Sequence, residues 1–230
     1  MPEPITAPFW LLLTRLGEAQ IVLPVLFVSM GWLLRRPGHA GLVAQWCGFV
    51  AGAVFVTLAT KIAFIGFGVG VAAIDFTGVS GHAMFAALVY PLLARVLCAG
   101  RPTPQRPVAL ALGVGLAVAV AVSRVMVGAH SVSEVLAGLA VGGVASAAAL
   151  RLVRHPISSV PVWLPLGLAL WLGITPVGAP ASNTHGLVTR LSLALSGRAL
   201  PYKRSDLLRA RQLQERQERQ DRQRRAEPIR

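Results

Sequence analysis

What most limits the folds open to this chain is a succession of apolar stretches, each approaching the roughly 20 residues that an α-helix needs to cross a bilayer at 1.5 Å rise per residue. Counted with their interfacial residues they fall at 10–34, 42–67, 82–99, 107–123, 131–152 and 160–178. Of 230 residues, 54% are hydrophobic and only 13% are charged, a balance outside that of soluble domains. Aromatic residues are scarce while Gly and Pro are frequent, which suits helices packed through small residues better than the alternating strands of a barrel. The expected class is all-α, a polytopic membrane protein with about six transmembrane helices over 1–180. An interfacial amphipathic segment over 181–200 and a basic polar tail over 201–230 follow. Cys47 and Cys98 both lie in apolar runs, so neither a disulfide framework nor a cysteine-based zinc site is expected.

A net charge of +13 resembles that of a nucleic-acid binder until it is divided along the chain. From Arg190 onward there are twelve basic and five acidic residues, while residues 1–189 carry ten and four, the acids being Glu3, Glu18, Asp75 and Glu134. Much of the excess therefore belongs to a tail, and no nucleic-acid partner is expected. Arg35 and Arg36, Arg101 and Arg106, and Arg151 and Arg154 mark three short connections that the positive-inside rule assigns to the cytoplasm. The 68–81 loop, the 123–131 connection and the C-terminal segment then share the opposite face. The first run is followed by Arg35-Arg36 without a small-residue cleavage site and reads as a retained span. The tail conflicts with this scheme, because positive-inside counting would place 198–230 in the cytoplasm; its sequence LLRARQLQERQERQDRQRR suits a solvated helix, a disordered arm or a surface touching anionic lipid headgroups.

Ionisable residues inside or at the ends of spans are costly, so each is a candidate for function. Lys61 stands about 30 Å along the second span from its cytoplasmic start, near the outer interface. Ser80-Gly81-His82 opens the third span from that same side, where a helix N-terminus offers unpaired N–H groups to an anion and glycine lets a ligand approach. Ser123-Arg124 closes the fourth span there, and His130 and Glu134 begin the fifth. Four residues apart on a helix, His130 and Glu134 share a face. The carboxylate can accept from one ring nitrogen and leave the other as base or nucleophile. With Arg124 and Lys61 for phosphate oxygens and His82 as proton donor, the set suits phosphoryl transfer.

Residues 123–134, S-R-V-M-V-G-A-H-S-V-S-E, resemble the third motif of the type 2 phosphatidic acid phosphatase family: S-R, five residues, H, three residues, D. V-S-G-H-A at 79–83 resembles its second motif, P-S-G-H, and Lys61 falls where the lysine of the first motif would. The resemblance covers about residues 10–180. It implies that His130 attacks phosphorus to form a phosphohistidine, that Glu134 in place of aspartate orients it, and that His82 protonates the leaving oxygen. Lys61, Ser80, the Gly81 amide and Arg124 would hold the phosphoryl oxygens, with no metal and no cofactor required. It implies a phospholipid or prenyl phosphate substrate; the charge count of the connections puts the site at the outer face, which is periplasmic on the assumption of a Gram-negative inner membrane.

The chain also departs from the pattern. Gly68-Val69 stand where the first motif expects Arg-Pro, seven residues after the lysine, and Val79 replaces the proline before Ser80. Glu134 keeps the charge with one more methylene, so Glu134→Asp is expected to preserve or raise the rate. Asp75 would repel a phosphate; it is expected to be solvated, or to pair with Lys61 or Arg124. Gly138 and Gly142 form a G-x-x-x-G that allows close helix approach. His39, His155 and His185 take no assigned role. Two other functions compete: a degenerate relative that binds a phosphorylated lipid or scaffolds membrane proteins, and a transporter for an anionic lipid, which would more naturally hold its ionisable residues at the bilayer midplane.

Overall fold

A computed structural model describes residues 6–100, 102, 105–153, 157, 159–180 and 182–226, so Glu3, Arg101, Arg154 and His155 lie outside the described residues. The helices are α1 (Thr6–Arg15), α2 (Ala19–Leu34), α3 (Ala40–Phe67), α4 (Gly81–Leu97), α5 (Gln105–Met126), α6 (Val132–Arg151), α7 (Trp163–Gly178), α8 (Thr184–Ser196) and α9 (Arg204–Ala226). Among the described residues no strand forms, and the all-α membrane-type fold is as expected. Among the described residues four segments are long and apolar enough to cross a bilayer: Pro8–Leu34, Ala40–Phe67, Gln105–Met126 and Val132–Arg151. The apolar helices α4 and α7 are shorter, at 17 and 16 residues.

The first apolar run breaks into two helices. Gly17 N donates to Thr14 O at 3.0 Å and Glu18 N to Arg15 O at 2.9 Å, so the chain turns between α1 and α2 on its own backbone hydrogen bonds. Glycine is required at the elbow: a Cβ on Gly17 would stand 2.8 Å from His82 Cβ and 2.7 Å from Val120 Cγ1.

The chain divides into two compact units, one made of residues 1–58 and 79–183, the other of 59–78 and 184–230, so that α3 contributes to both. In the first unit α4 is the axial helix, packed against α2, α5 and α6. Its residues Ala83, Met84, Ala86, Leu88, Val89, Tyr90 and Leu92 are buried on every side. By contrast Leu112 on α5 and Val144 on α6 are 70% and 71% exposed, as apolar side chains facing lipid would be. Small residues let the helices close on α4. A Cβ on Gly138 would come within 2.6 Å of Ser80 O, one on Gly142 would overlap Met84 O, and one on Gly113 would stand 2.8 Å from Tyr90 O. Hydrogen bonds lock the arrangement: Trp46 Nε1 of α3 donates to Ala149 O at 3.1 Å, Trp171 Nε1 of α7 to Ile21 O at 2.9 Å, and Arg15 Nη1 to Pro176 O at 2.6 Å.

In the second unit, Gly68 ends α3 in the left-handed conformation (φ 73°), its N–H donating to Phe64 O at 2.8 Å, as a helix C-terminal glycine does. The Tyr202 ring lies against it, only 3.0 Å from where a Cβ would be. Tyr202 N donates to Ile65 O at 2.9 Å, Arg204 Nη1 pairs with Asp75 Oδ2 at 2.7 Å, and Arg211 Nη1 donates to Ala72 O at 2.9 Å. The tail is thus helical and is clasped to the loop that follows α3. Asp75, expected to be solvated or to pair with Lys61 or Arg124, instead meets Arg204, because the tail returns to the loop. His39 is buried at 6% exposure, with Nδ1 donating to Pro37 O at 3.0 Å; it closes the turn before α3.

Candidate active site

The first unit gathers the ends of three helices. Ala83 at the start of α4, Ala121 near the end of α5 and Val135 at the start of α6 form one buried cluster, flanked by Val125 and Leu139. Each belongs to a helix turn that carries a candidate residue: His82 beside Ala83, Arg124 three residues after Ala121, and Glu134 beside Val135. A backbone bond joins the second and third motifs directly, Ser80 N donating to Glu134 O at 3.1 Å.

The third motif folds as a helix end, a tight turn and a helix start. Gly128 takes the left-handed conformation (φ 68°), which bends the chain back so that the N–H groups of Ala129 and His130 both donate to Arg124 O, at 3.1 and 3.2 Å. Ser131 then caps α6. Its hydroxyl accepts from Glu134 N at 3.4 Å, and Glu134 Oε2 accepts from Ser131 N at 3.2 Å, a reciprocal capping box. The same Oε2 lies 2.6 Å from His130 Nδ1. A carboxylate only accepts, so Nδ1 carries the proton and the lone pair is on Nε2. Glu134 is fully buried and His130 is 14% exposed at its side chain, so a rigid buried base holds an accessible imidazole.

This geometry accounts for glutamate where the family pattern has aspartate. The third position of a capping box favours Glu because its length reaches back to the N-cap amide, and here that length also serves His130.

At the second motif Ser80 is the N-cap of α4, yet its hydroxyl makes no cap bond; it is buried and has no hydrogen-bond partner among the described residues. A Cβ on Gly81 would meet only Thr57 Cγ2, at an ordinary 3.9 Å, so protein packing does not demand glycine there. Arg124 Nε is likewise buried and without a partner among the described residues, while Nη1 donates to Thr14 Oγ1 at 2.8 Å. A buried hydroxyl at a helix N-terminus and a buried guanidinium N–H, each without an acceptor among the described residues, are both suited to an anion. Ser123, the other fixed residue of the motif, is taken up within α5, its hydroxyl donating to Val120 O at 2.6 Å.

Ser80, Gly81, His82, Arg124, His130 and Glu134 therefore all belong to the first unit. Lys61 belongs to the second, on the last turns of α3, where its Cγ and backbone pack against Gly78. Thr14 and the Gly17 elbow are the residues that motif reading missed. No sequence signal marks them, because their roles come from how α1 packs on α5 and α4.

A family model of the PAP2 superfamily matches residues 7–158, about two thirds of the chain. The chain belongs to that superfamily, the type 2 phosphatidic acid phosphatases. It is also 30% identical over 202 residues to a protein of Klebsiella pneumoniae, "Uncharacterized 22.5 kDa protein in cps region", covering 86% of this chain and 97% of that protein. No solved structure matches it. PAP2 membership supports a phosphatase-type activity, the hydrolysis of a phosphoric ester. With the long apolar helices it makes this an integral membrane protein.

Proposed function

We propose that the protein removes phosphate from a membrane amphiphile, a lipid phosphate or prenyl pyrophosphate, through a phosphohistidine on His130 at the outer face. The observation that carries this reading is the buried Glu134 carboxylate 2.6 Å from His130 Nδ1. It sets the tautomer in which Nε2 attacks phosphorus. As the Nε2–P bond forms, the ester P–O bond breaks and His82 gives its proton to the leaving oxygen. Water then attacks the phosphohistidine, its proton passing to His82, and His130 is released with inorganic phosphate. Arg124, the Ser80 hydroxyl, the Gly81 amide and Lys61 neutralise the equatorial oxygens, where negative charge accumulates. A site at helix ends among apolar spans fits a substrate whose tail stays in lipid.

The test is phosphate release from a panel of lipid phosphates and prenyl pyrophosphates by the detergent-purified protein with a metal chelator present. Chelator-resistant release is expected. No release from any member of the panel would favour the second reading, a relative that binds a phosphorylated lipid without turnover. The observation behind that reading is Gly68: the position that carries an arginine in the family pattern is here a left-handed helix end covered by Tyr202, whose ring in turn carries Arg198 stacked 4.1 Å from its centroid.

Glu134→Asp tests the geometry further. Side-chain length alone suggested that the family's usual residue would preserve or raise the rate. The capping box reverses this sign, because a shorter carboxylate cannot reach both Ser131 N and His130 Nδ1 from the same backbone position. Turnover in Glu134→Asp is expected to fall roughly 10- to 100-fold, the cost of a misplacement near 1 Å, and initial rates at saturating substrate read it.

A further inference from the structure

We infer that Thr14 is a positioning residue for Arg124. Its hydroxyl anchors one end of the guanidinium so that the Nε edge is presented to an anion. The inference rests on the reading in which Arg124 takes phosphoryl oxygens, and it adds a residue of α1 to a site otherwise built from later helices.

Thr14 is buried at 7% exposure on the last turn of α1, and its Oγ1 accepts from Arg124 Nη1 at 2.8 Å. Among the described residues this is the only side-chain hydrogen bond the Arg124 guanidinium makes; the Glu18 carboxylate acts on it through space, without a hydrogen bond. Glu18 spends its hydrogen bonds elsewhere: Oε1 faces Arg15 Nε at 3.3 Å and Oε2 accepts from Gln20 Nε2 at 2.7 Å, so the contact that fixes the guanidinium is the neutral hydroxyl. A neutral anchor is what an anion site needs. A carboxylate in the place of Thr14 would fix the guanidinium equally well but would neutralise it and compete with the phosphate. A hydroxyl removes the rotational freedom of a long side chain and leaves the charge intact, so less entropy is lost when the anion arrives.

A second observation shows that α1 is held in register for this task. Gly17, three residues after Thr14, admits no side chain, because a Cβ would collide with His82 and with Val120, one helical turn before Arg124. Tyr90 Oη of α4 also donates to Leu16 O at 2.7 Å. The elbow that carries Thr14 is thus fixed from α4 and α5, the two helices that supply His82 and Arg124.

Full-length protein in detergent, as wild type, Thr14→Val and Thr14→Ser, gives the test. Two quantities are read: steady-state kinetics on the panel member hydrolysed fastest, and the rise in unfolding temperature caused by orthovanadate, a phosphate mimic. In Thr14→Val, KM is expected to rise about tenfold with kcat within about threefold, the pattern of a lost binding contact to a charged group. The vanadate shift is expected to shrink in parallel, and Thr14→Ser should restore both. A Thr14→Val protein with unchanged KM and an unchanged vanadate shift overturns the inference while leaving the phosphatase reading standing; so does a protein whose stability falls with KM unaltered, which would make Thr14 a packing residue only. A wild type that turns nothing over but is stabilised by vanadate, with the shift lost in Thr14→Val and regained in Thr14→Ser, upholds Thr14 and overturns the phosphatase reading. A wild type that shows neither turnover nor a vanadate shift overturns both.

Discussion

His130→Ala is expected to abolish phosphate release, by roughly 10⁴-fold or more, while the protein remains folded and membrane-inserted. The imidazole supplies the nitrogen of the proposed P–N bond, and the serine hydroxyls of the third motif are bound elsewhere: Ser131 in the cap of α6, Ser133 to Ser131, and Ser123 to a carbonyl of α5. Folding should tolerate the change, since the His130 side chain is partly exposed and the α6 cap is built from Ser131 and Glu134. Glu134→Gln makes the complementary case. An amide oxygen can still accept from Ser131 N or from His130 but carries no charge to stabilise the imidazolium, and the amide N–H₂ can drive the ring into the wrong tautomer. A loss of about 10³- to 10⁴-fold is expected, comparable with removal of the carboxylate from other His–carboxylate pairs. Both are read as initial rates of phosphate release, with detergent-solution unfolding temperatures as the control. Wild-type rates in His130→Ala would remove the nucleophile assignment altogether.

Gly142→Val should have the largest effect on folding. The added Cβ would overlap the Met84 carbonyl oxygen, which is helix backbone and cannot rotate aside, and the branched side chain would also press on Ala87 and Leu88. The two helices must separate, which opens the buried face of α4 and breaks Trp46–Ala149 and other bonds that depend on its registry. Overpacking of this kind costs about 3 kcal/mol. Thermal unfolding in detergent should show a large fall in midpoint. Gly143→Ala supplies the control, because a Cβ there meets nothing within 4 Å, and its effect should be neutral or slightly stabilising. Equal losses at 142 and 143 would mean that helix propensity, not the α4–α6 contact, sets the sensitivity.

The apolar runs were legible because crossing a bilayer is a demand on local composition, and the third motif was legible because its spacing sits on one helix end and one helix start. The close approach of α6 to α4 was also readable, as the pair Gly138 and Gly142. Other features depended on residues far apart in sequence. The break of the first run at Leu16–Glu18 has apolar residues on both sides, and only the packing of Gly17 on His82 shows why it is there. The run that becomes α4 is among the shorter ones, and nothing in its composition marks it as the helix packed against α2, α5 and α6. Glu134 reads in the sequence as a departure from the pattern, one methylene too long; the length closes a cap with Ser131, a contact that the family motif does not encode. Asp75 had two cations within plausible reach in the sequence, and it took a third, Arg204, more than a hundred residues away.

The clasp of the tail on the loop after α3 also bears on how the chain enters the membrane. Tyr202, Arg204 and Arg211 hold residues 65–75 directly, so the C-terminus and that loop share one side. Arg35 and Arg36 stand at the other end of the 28-residue α3. The most basic stretch of the protein is therefore tethered to the loop after α3, and a reporter fused after residue 226 would read the position of that loop and not the count of charges in the tail.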